Sequence, residues 1–268
     1  MGQNLIVCGD DFGFSEAYNY GMIHAFTHGI LTVGSLMSNM DAAVHAVALA
    51  KTNNMPLAQH TNLVQGKPCA DPATIPSIVQ EDGSFYPSRY FKADGWAKKG
   101  DGTLVADKED VKRETRAQLE RQKTLSGKYP TQVEGHSVIQ PAMMEAYMEV
   151  ASEYGIRCMN LDGKTQQGFR EAQEAFISSP DMGVLMKDYM ENGLTPDGLI
   201  QILEILKANK CDVNIFRCHP GWVDATIMDT STLVLPRCRD VQALTDKRVV
   251  QWVKANKIEL LSFDDLVL

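Results

Sequence analysis

Long apolar runs, a secretory signal and an excess of positive charge are all absent from this sequence. Apolar runs such as residues 5–8 and 46–50 are far shorter than the ~20 residues that cross a bilayer. The first residues carry neither a basic segment nor a long apolar one, so we expect a cytoplasmic protein with no membrane partner. The 26 Lys and Arg are outnumbered by 34 Asp and Glu, giving a net charge of -8. That balance argues against a nucleic-acid partner and is compatible with an uncharged sugar.

Paired cysteine spacings are absent as well. The six cysteines include no Cys-x-x-Cys pair, which excludes a zinc ribbon. Three of the cysteines lie in apolar, strand-like runs. We therefore expect buried free thiols in a reducing compartment rather than disulfides.

Apolar, β-branched segments alternate along the chain with segments of helical periodicity. Predicted strands occupy residues 4–9, 31–37, 55–63, 131–136, 156–161, 212–219 and 258–261. Predicted helices occupy residues 15–28, 41–51, 107–126, 141–154 and 196–209, and a further helix lies within 239–256. Ser15 is interpreted as the cap of the first helix rather than as a nucleophile, since no Gly-x-Ser-x-Gly turn is present.

This alternation predicts an α/β fold with a parallel sheet, in a closed or nearly closed (β/α) barrel. An open, doubly wound sheet is the alternative, but no Gly-x-Gly-x-x-Gly follows the first strand. Residues 1–268 are interpreted as a single domain. An irregular insertion at about 65–103 carries several aromatic side chains, which suit either a sugar-stacking surface or a subunit contact in a homodimer.

Acidic and imidazole side chains lie at the ends of four predicted strands. Asp10 and Asp11 follow the first strand, His60 lies near the end of the third, His136 ends the fourth and His219 ends the sixth. Because the carboxyl ends of parallel strands face one side of an α/β fold, these side chains should meet at one mouth. An Asp pair alone also suits a turn or a helix N-terminus, and a lone His in a strand is more often a structural residue than a ligand. As a set, they indicate a functional site.

Two imidazoles and one carboxylate form a donor set that leaves coordination positions open for water and substrate. His60, His136 and one of the two aspartates supply that set, and the other aspartate is then free to move protons. We expect one divalent metal ion, with Mg or Zn preferred and Mn, Co or Ni as alternatives.

The segment after the sixth strand reads His219-Pro220-Gly221-Trp222. Pro220 restricts His219 to an extended conformation and Gly221 permits a sharp turn, so the imidazole is fixed at the strand end. Trp222 offers either an apolar face to a substrate sugar ring or a contact in the core.

Four segments together carry a resemblance to a known family. They are Gly9-Asp10-Asp11-Phe12-Gly13-Phe14-Ser15, His60-Thr61-Asn62-Leu63, Glu134-Gly135-His136 and His219-Pro220-Gly221. In order and spacing, the chain resembles the YdjC-like (ChbG/HpnK) carbohydrate deacetylases from residue 4 to about residue 265. The resemblance implies a distorted (β/α) TIM-like barrel. It also implies metal-dependent removal of N-acetyl groups from amino sugars or chitooligosaccharides such as diacetylchitobiose.

The resemblance further implies roles for individual residues. Asp11, His60 and His136 would be the metal ligands. Asp10 would be the general base, and His219 would be a general acid or a stabiliser of the transition state.

Arg239 resembles an arginine in a late element of the family, and it would orient Asp10 or touch the substrate. Two departures from the family pattern concern the sugar rather than the ligand set. Ala58-Gln59-His60-Thr61-Asn62-Leu63 stands where the family usually has Gly-Leu-His-Leu-Asn-Leu, and the further histidines that many members carry after the position of His136 are missing here.

Other functions use the same residue types. A metal-dependent hydrolase could act on a non-sugar amide or ester, and a non-haem iron oxygenase takes the same three ligands. A barrel that binds sugars without catalysis is the alternative from another class. Asp10 and His219 argue against it, because a binding protein needs no proton relay. The expected partner is an N-acetylated mono- or oligosaccharide.

Overall fold

A computed structural model describes residues 3–91, 104–138, 140–158, 189, 192–208 and 213–266. Its centre is a sheet of seven strands. In chain order these are β1 (Gln3–Phe12), β2 (Val33–Leu36), β3 (Leu57–Thr61), β4 (Gln132–Gly135), β5 (Arg157–Cys158), β6 (Val213–Cys218) and β7 (Ile258–Leu260).

Helices follow the strands along the chain. The α-helices are α1 (Glu16–His28), α2 (Ala43–Asn53), α3 (Lys108–Ser126), α4 (Pro141–Tyr154), α5 (Pro196–Ala208), α6 (Ala225–Thr230), α7 (Leu235–Thr245) and α8 (Lys247–Ala255). Ser15 caps α1, as predicted, because its hydroxyl accepts a hydrogen bond from the N–H of Tyr18. The segment 239–256, predicted to contain one helix, holds parts of two, because Asp246 ends α7 and caps α8.

Every strand pair in the sheet is parallel. The strand order is β5-β4-β3-β2-β1-β6, and β7 also pairs with β1. Strand β6 runs along one edge of β1, and the other edge is shared, with β7 beside residues 3–5 and β2 beside residues 8–12. The sheet is a curled half-barrel covered by helices, which confirms the predicted α/β, distorted TIM-like barrel.

Strand β1 runs through the core, and its residues Ile6, Val7, Cys8 and Phe12 have no exposed surface. Such continuous burial is typical of a strand that is covered on both faces of a parallel sheet. None of the described cysteines forms a disulfide, but only Cys8, Cys158 and Cys218 are buried, whereas Cys69 and Cys238 are half-buried. Cys211 lies outside the described residues. In the part of the chain that the structure describes, no helix is both long enough and apolar enough to cross a membrane.

Helix α3 turns a polar stripe, alongside the buried Val111 and Leu119, toward the sheet and the irregular insertion. Four buried side chains at four-residue spacing form it: Asp110, Glu114, Gln118 and Gln122. Glu114 accepts hydrogen bonds from the backbone N–H groups of Cys69 (2.9 Å) and Ala70 (2.8 Å). Asp110 accepts one from the N–H of Ser77 at 2.9 Å. The two carboxylates therefore satisfy backbone donors that this loop would otherwise bury unpaired. Residues 92–103 of the predicted insertion lie outside the described residues.

Replacing Glu114 with Gln tests the energetic role of this stripe. Burial raises the pKa of Glu114 from its ordinary value of 4.5 to about 7, despite the N–H donors around it. A carboxyl whose pKa is raised on folding holds its proton more tightly in the folded chain, so its contribution to stability falls as the pH rises through that interval. We expect the wild type to lose about 3 kcal/mol of unfolding free energy relative to Glu114→Gln between pH 4.5 and 7.5.

The measurement is chemical denaturation of both proteins across this pH range, with the exposed Glu81→Gln as the control. Parallel stability curves for the wild type and Glu114→Gln would contradict the assignment.

Candidate metal centre

A bulge in β1 places two consecutive aspartates at the mouth of the sheet. Gly9 pairs with Gly34 and Phe12 with Leu36, so three steps along β1 match two along β2. Asp11 adopts a φ of 65°, in the left-handed region. In a regular strand, neighbouring side chains point to opposite faces, and the extra residue of a bulge changes that alternation. Strand β1 thus continues through Asp10 and Asp11, where the sequence had predicted a loop.

Asp11, His60 and His136 converge on one point. Oδ1 of Asp11 lies 3.2 Å from Nε2 of His60 and 2.9 Å from Nδ1 of His136, and the two imidazole nitrogens are 3.1 Å apart. Ligand atoms at 2.0–2.2 Å from one metal, in tetrahedral or octahedral arrangement, are separated by about 2.8–3.6 Å. The three predicted ligands therefore have the mutual spacing that one metal ion requires.

The bonding of these atoms supports the same conclusion. Oδ1 of Asp11 is buried and, despite its short distances to both imidazoles, makes no well-aligned hydrogen bond. A cation between this oxygen and the two imidazole nitrogens would be bound by all three atoms at once. The site fits a divalent ion, and together these residues form one of the groups of metal-ligating side chains found among the described residues.

Arg237 holds the other oxygen of the Asp11 carboxylate. Its Nη1 lies 2.9 Å from Oδ2 of Asp11, and its Nε donates to the carbonyl of Leu233 at 2.7 Å. The guanidinium also lies over the rings of Phe14 and Tyr18, at 5.3 and 5.0 Å from their centroids. Burial opposes the ionised form of Asp11, but His136 and Arg237 outweigh it and hold its pKa well below the ordinary range. Arg237 therefore keeps Asp11 ionised and leaves Oδ1 to the imidazoles.

Arg239 is the arginine predicted from the sequence, whereas Arg237 is not among the predicted site residues. Arg239 is half-buried and donates to the carbonyl of Asn192 at 2.5 Å, so its role toward substrate stays a prediction. The signal that could have identified Arg237 is helical periodicity. In α7, Arg237, Asp240 and Val241 are buried on one face and Arg239 is not.

A second acidic cluster lies beside the first and surrounds Arg217. Its members Cys8, Asp10 and Glu134 also form a group that could hold a cation. The guanidinium of Arg217 contacts Glu134 closely, Asp10 at 3.3 Å and the thiol of Cys8 at 3.7 Å. Positive charge at this point is therefore supplied by Arg217. Neither Arg217 nor Glu134 is among the site residues predicted from the sequence.

The charges around Asp10 and Glu134 shift the pKa values of these two carboxylates in opposite directions. Burial raises the pKa of Glu134, but Arg217, His60 and Ser35 outweigh it and bring that pKa to about 2. For Asp10, burial and the neighbouring Glu134 charge prevail, and its pKa rises to about 7. Glu134 is therefore a fixed anion, whereas Asp10 can gain and lose a proton near neutral pH.

His60 lies between the two clusters. Its Nδ1 is 3.3 Å from Oε1 of Glu134, and the same oxygen accepts a 2.5 Å hydrogen bond from Ser35. Burial disfavours a charged imidazole, but Asp10, Asp11 and Glu134 outweigh it and raise the pKa of His60 to about 10. The surroundings of His60 thus stabilise one positive charge, which either a proton or a metal cation can supply.

His219 lies at the end of β6, as predicted, and is held by a third group of residues. Its backbone N–H donates to Oδ2 of Asp240 at 2.8 Å, and its Nδ1 lies 3.2 Å from the hydroxyl of Tyr189. Burial is the main cause that lowers the pKa of His219 to about 4, so the resting imidazole is neutral. Trp222 is 42% exposed on the same loop, and its predicted contact with substrate stays a prediction.

Known proteins resemble this chain over its whole length. Carbohydrate deacetylase 2 of Listeria innocua is 31% identical over 269 residues, which cover 98% of this chain and 99% of that protein. The chitooligosaccharide deacetylase of Serratia marcescens is 28% identical over 274 residues, which cover 99% of this chain and 100% of that protein. A crystal structure from Enterococcus faecalis V583 superposes with a TM-score of 0.79 at 20% identity, covering 100% of both chains.

The family model described as YdjC-like protein matches residues 4–255 of this chain. That range includes both aspartates of the bulge, the two histidines that face Asp11, and the His219 loop. The resemblance inferred from sequence motifs is thereby confirmed, and the chain belongs to the YdjC-like protein family.

Proposed function

We propose that this protein is a metal-dependent deacetylase that hydrolyses the N-acetyl group of an amino sugar or a chitooligosaccharide. The observation that carries the proposal is the convergence of Asp11, His60 and His136 on one point, with Asp10 and His219 beside it. The names of the relatives, carbohydrate deacetylase and chitooligosaccharide deacetylase, favour a sugar amide over other amides.

Oδ1 of Asp11, Nε2 of His60 and Nδ1 of His136 would hold the metal ion. When bound, a divalent ion there would acidify a water molecule and polarise the acetyl carbonyl. Two nitrogen donors and one oxygen donor suit Zn, whereas Mg, Mn, Co or Ni would need further oxygen ligands from water. The protein contributes Arg237 and Glu134, whose charged atoms lie 2.9 Å from Oδ2 of Asp11 and 3.3 Å from Nδ1 of His60 and would orient these two ligands.

Asp10 would accept the proton of the attacking water. Asp10 directly precedes the ligand Asp11 in β1, and its Oδ1 contacts Arg217. A general base is most effective when its pKa lies near the working pH, and burial together with Glu134 brings the pKa of Asp10 to about 7. The backbone carbonyl of Asp10 accepts a 2.7 Å hydrogen bond from Tyr18, which fixes this segment of the bulge.

His219 would deliver a proton to the departing sugar nitrogen. Since its pKa is lowered to about 4, it is neutral at rest and has to take up a proton during the reaction before giving it away. Asp10 would take one proton from the water and His219 would give one to the sugar nitrogen, and both groups would return to their resting states by exchanging one proton each with solvent. Trp222, exposed beside His219, would supply an apolar surface for the sugar ring.

Acetate release from N,N'-diacetylchitobiose tests the reaction and the role of Asp10 together. We expect release that a chelator abolishes and that added divalent metal restores. Asp10→Asn should lower turnover by about 10²–10⁴-fold, because the amide cannot accept the water proton. The exposed Asp41→Asn should behave as the wild type. Release that survives chelator, or that Asp10→Asn leaves intact, would rule the mechanism out.

His219→Ala separates proton transfer from metal binding. We expect turnover to fall by about 10²-fold or more while the metal content per chain stays at the wild-type value. His60→Ala, the matched variant of a proposed ligand, should lose the metal itself. Metal content is read by atomic spectroscopy after dialysis. If His219→Ala also loses its metal, His219 is a ligand and its assigned role is wrong.

A further inference from the structure

Tyr189 links His219 to a buried carboxylate. Its hydroxyl lies 2.9 Å from Oδ2 of Asp240 and 3.2 Å from Nδ1 of His219. Tyr189 is 5% exposed and Asp240 is fully buried. Asp240 also accepts N–H hydrogen bonds from His219 (2.8 Å) and Leu194 (3.3 Å). One carboxylate therefore holds both the backbone of His219 directly and its ring through a phenol.

The direction of these hydrogen bonds follows from the number of protons available. An ionised carboxylate only accepts, so the single hydroxyl proton of Tyr189 goes to Asp240. The phenol oxygen can then only accept from Nδ1 of His219, which must carry a proton. Burial raises the pKa of Tyr189 far above neutrality, so that the phenol keeps its proton, and Asp240, with a pKa of about 6, is mainly ionised above that pH.

We propose that Tyr189 is a positioning residue that, backed by Asp240, fixes the imidazole of His219 with its proton on Nδ1 and leaves Nε2 as the nitrogen that exchanges protons in the reaction. The proposal rests on the proposed function, in which the group that receives the proton is the departing sugar nitrogen. It assigns a role to Asp240 on α7 and to Tyr189 before α5, neither of which is among the site residues predicted from the sequence.

The fixed tautomer has a direct consequence for the proposed reaction. A neutral imidazole with hydrogen on Nδ1 takes up a proton at Nε2 and becomes an imidazolium. It then gives the Nε2 proton to the departing nitrogen, and the Nδ1 proton stays on the ring throughout. While the charge exists, it faces the phenol oxygen and the carboxylate behind it, which stabilise it. A carboxylate that orients a catalytic imidazole in this way is known to act without taking up the proton itself.

Tyr189→Phe removes the phenol oxygen and nothing else. Long-range proton–nitrogen correlation spectra of the metal-loaded protein report the tautomer of each histidine, with His219→Ala identifying the signals of His219. We expect the Nδ1-protonated form in the wild type and a mixture of tautomers in Tyr189→Phe. With the substrate of the wild type, kcat should fall by about 10- to 100-fold while KM and metal content stay unchanged.

Tyr154→Phe is the matched control, since it removes a phenol that contacts Glu120 at 3.0 Å, away from the metal centre. It should alter neither the His219 signals nor kcat. An unchanged His219 spectrum or an unchanged kcat in Tyr189→Phe overturns the proposal, and so does a loss of activity accompanied by loss of metal. The spectrum requires no turnover. A wild type that releases no acetate would therefore count against the proposed function, while the tautomer would still decide the role of Tyr189.

Discussion

The site depends on the burial of four carboxylates at one end of a parallel sheet. Asp10, Asp11, Glu134 and Asp240 are each less than 10% exposed. An unpaired charge in such a position costs several kcal/mol, so each carboxylate requires a cation, a set of donors or a proton. Asp11 contacts Arg237, Glu134 and Asp10 share Arg217, and Asp240 accepts hydrogen bonds from N–H and hydroxyl donors. Their pKa values consequently differ, although the side chains are chemically alike: those of Asp11 and Glu134 are lowered, and those of Asp10 and Asp240 are raised.

Two arginines supply positive charge to these carboxylates. Arg237 pairs with Asp11, and Arg217 lies among Glu134, Asp10 and Cys8. Arg217 already supplies a cation to the cluster of Cys8, Asp10 and Glu134, whereas Oδ1 of Asp11 faces the imidazoles of His60 and His136. Asp240 is instead satisfied by N–H and hydroxyl donors, which allows it to hold His219. In the proposed function, a single metal ion at Asp11, His60 and His136 would complete this distribution of charge.

The sequence was sufficient for the fold and for the residues that end strands. His60, His136 and His219 lie where parallel strands deliver them, since strand periodicity and the single mouth of an α/β barrel are local and general properties. The bulge at Asp11 and the pairings of Glu134 with Arg217 could not be predicted, because they depend on a register shift and on contacts between residues far apart in the chain. The helical periodicity of α7 is sufficient to predict that Arg237 is buried, and it places Arg239 outside that buried face.

The claim on which the account depends is that one metal ion binds to Asp11, His60 and His136. Diffraction from crystals of the full chain grown with zinc, recorded at the zinc absorption edge, tests it directly. The account predicts one strong anomalous peak within bonding distance of Oδ1 of Asp11, Nε2 of His60 and Nδ1 of His136. A peak among Cys8, Asp10 and Glu134 instead, or no peak near Asp11, would contradict it.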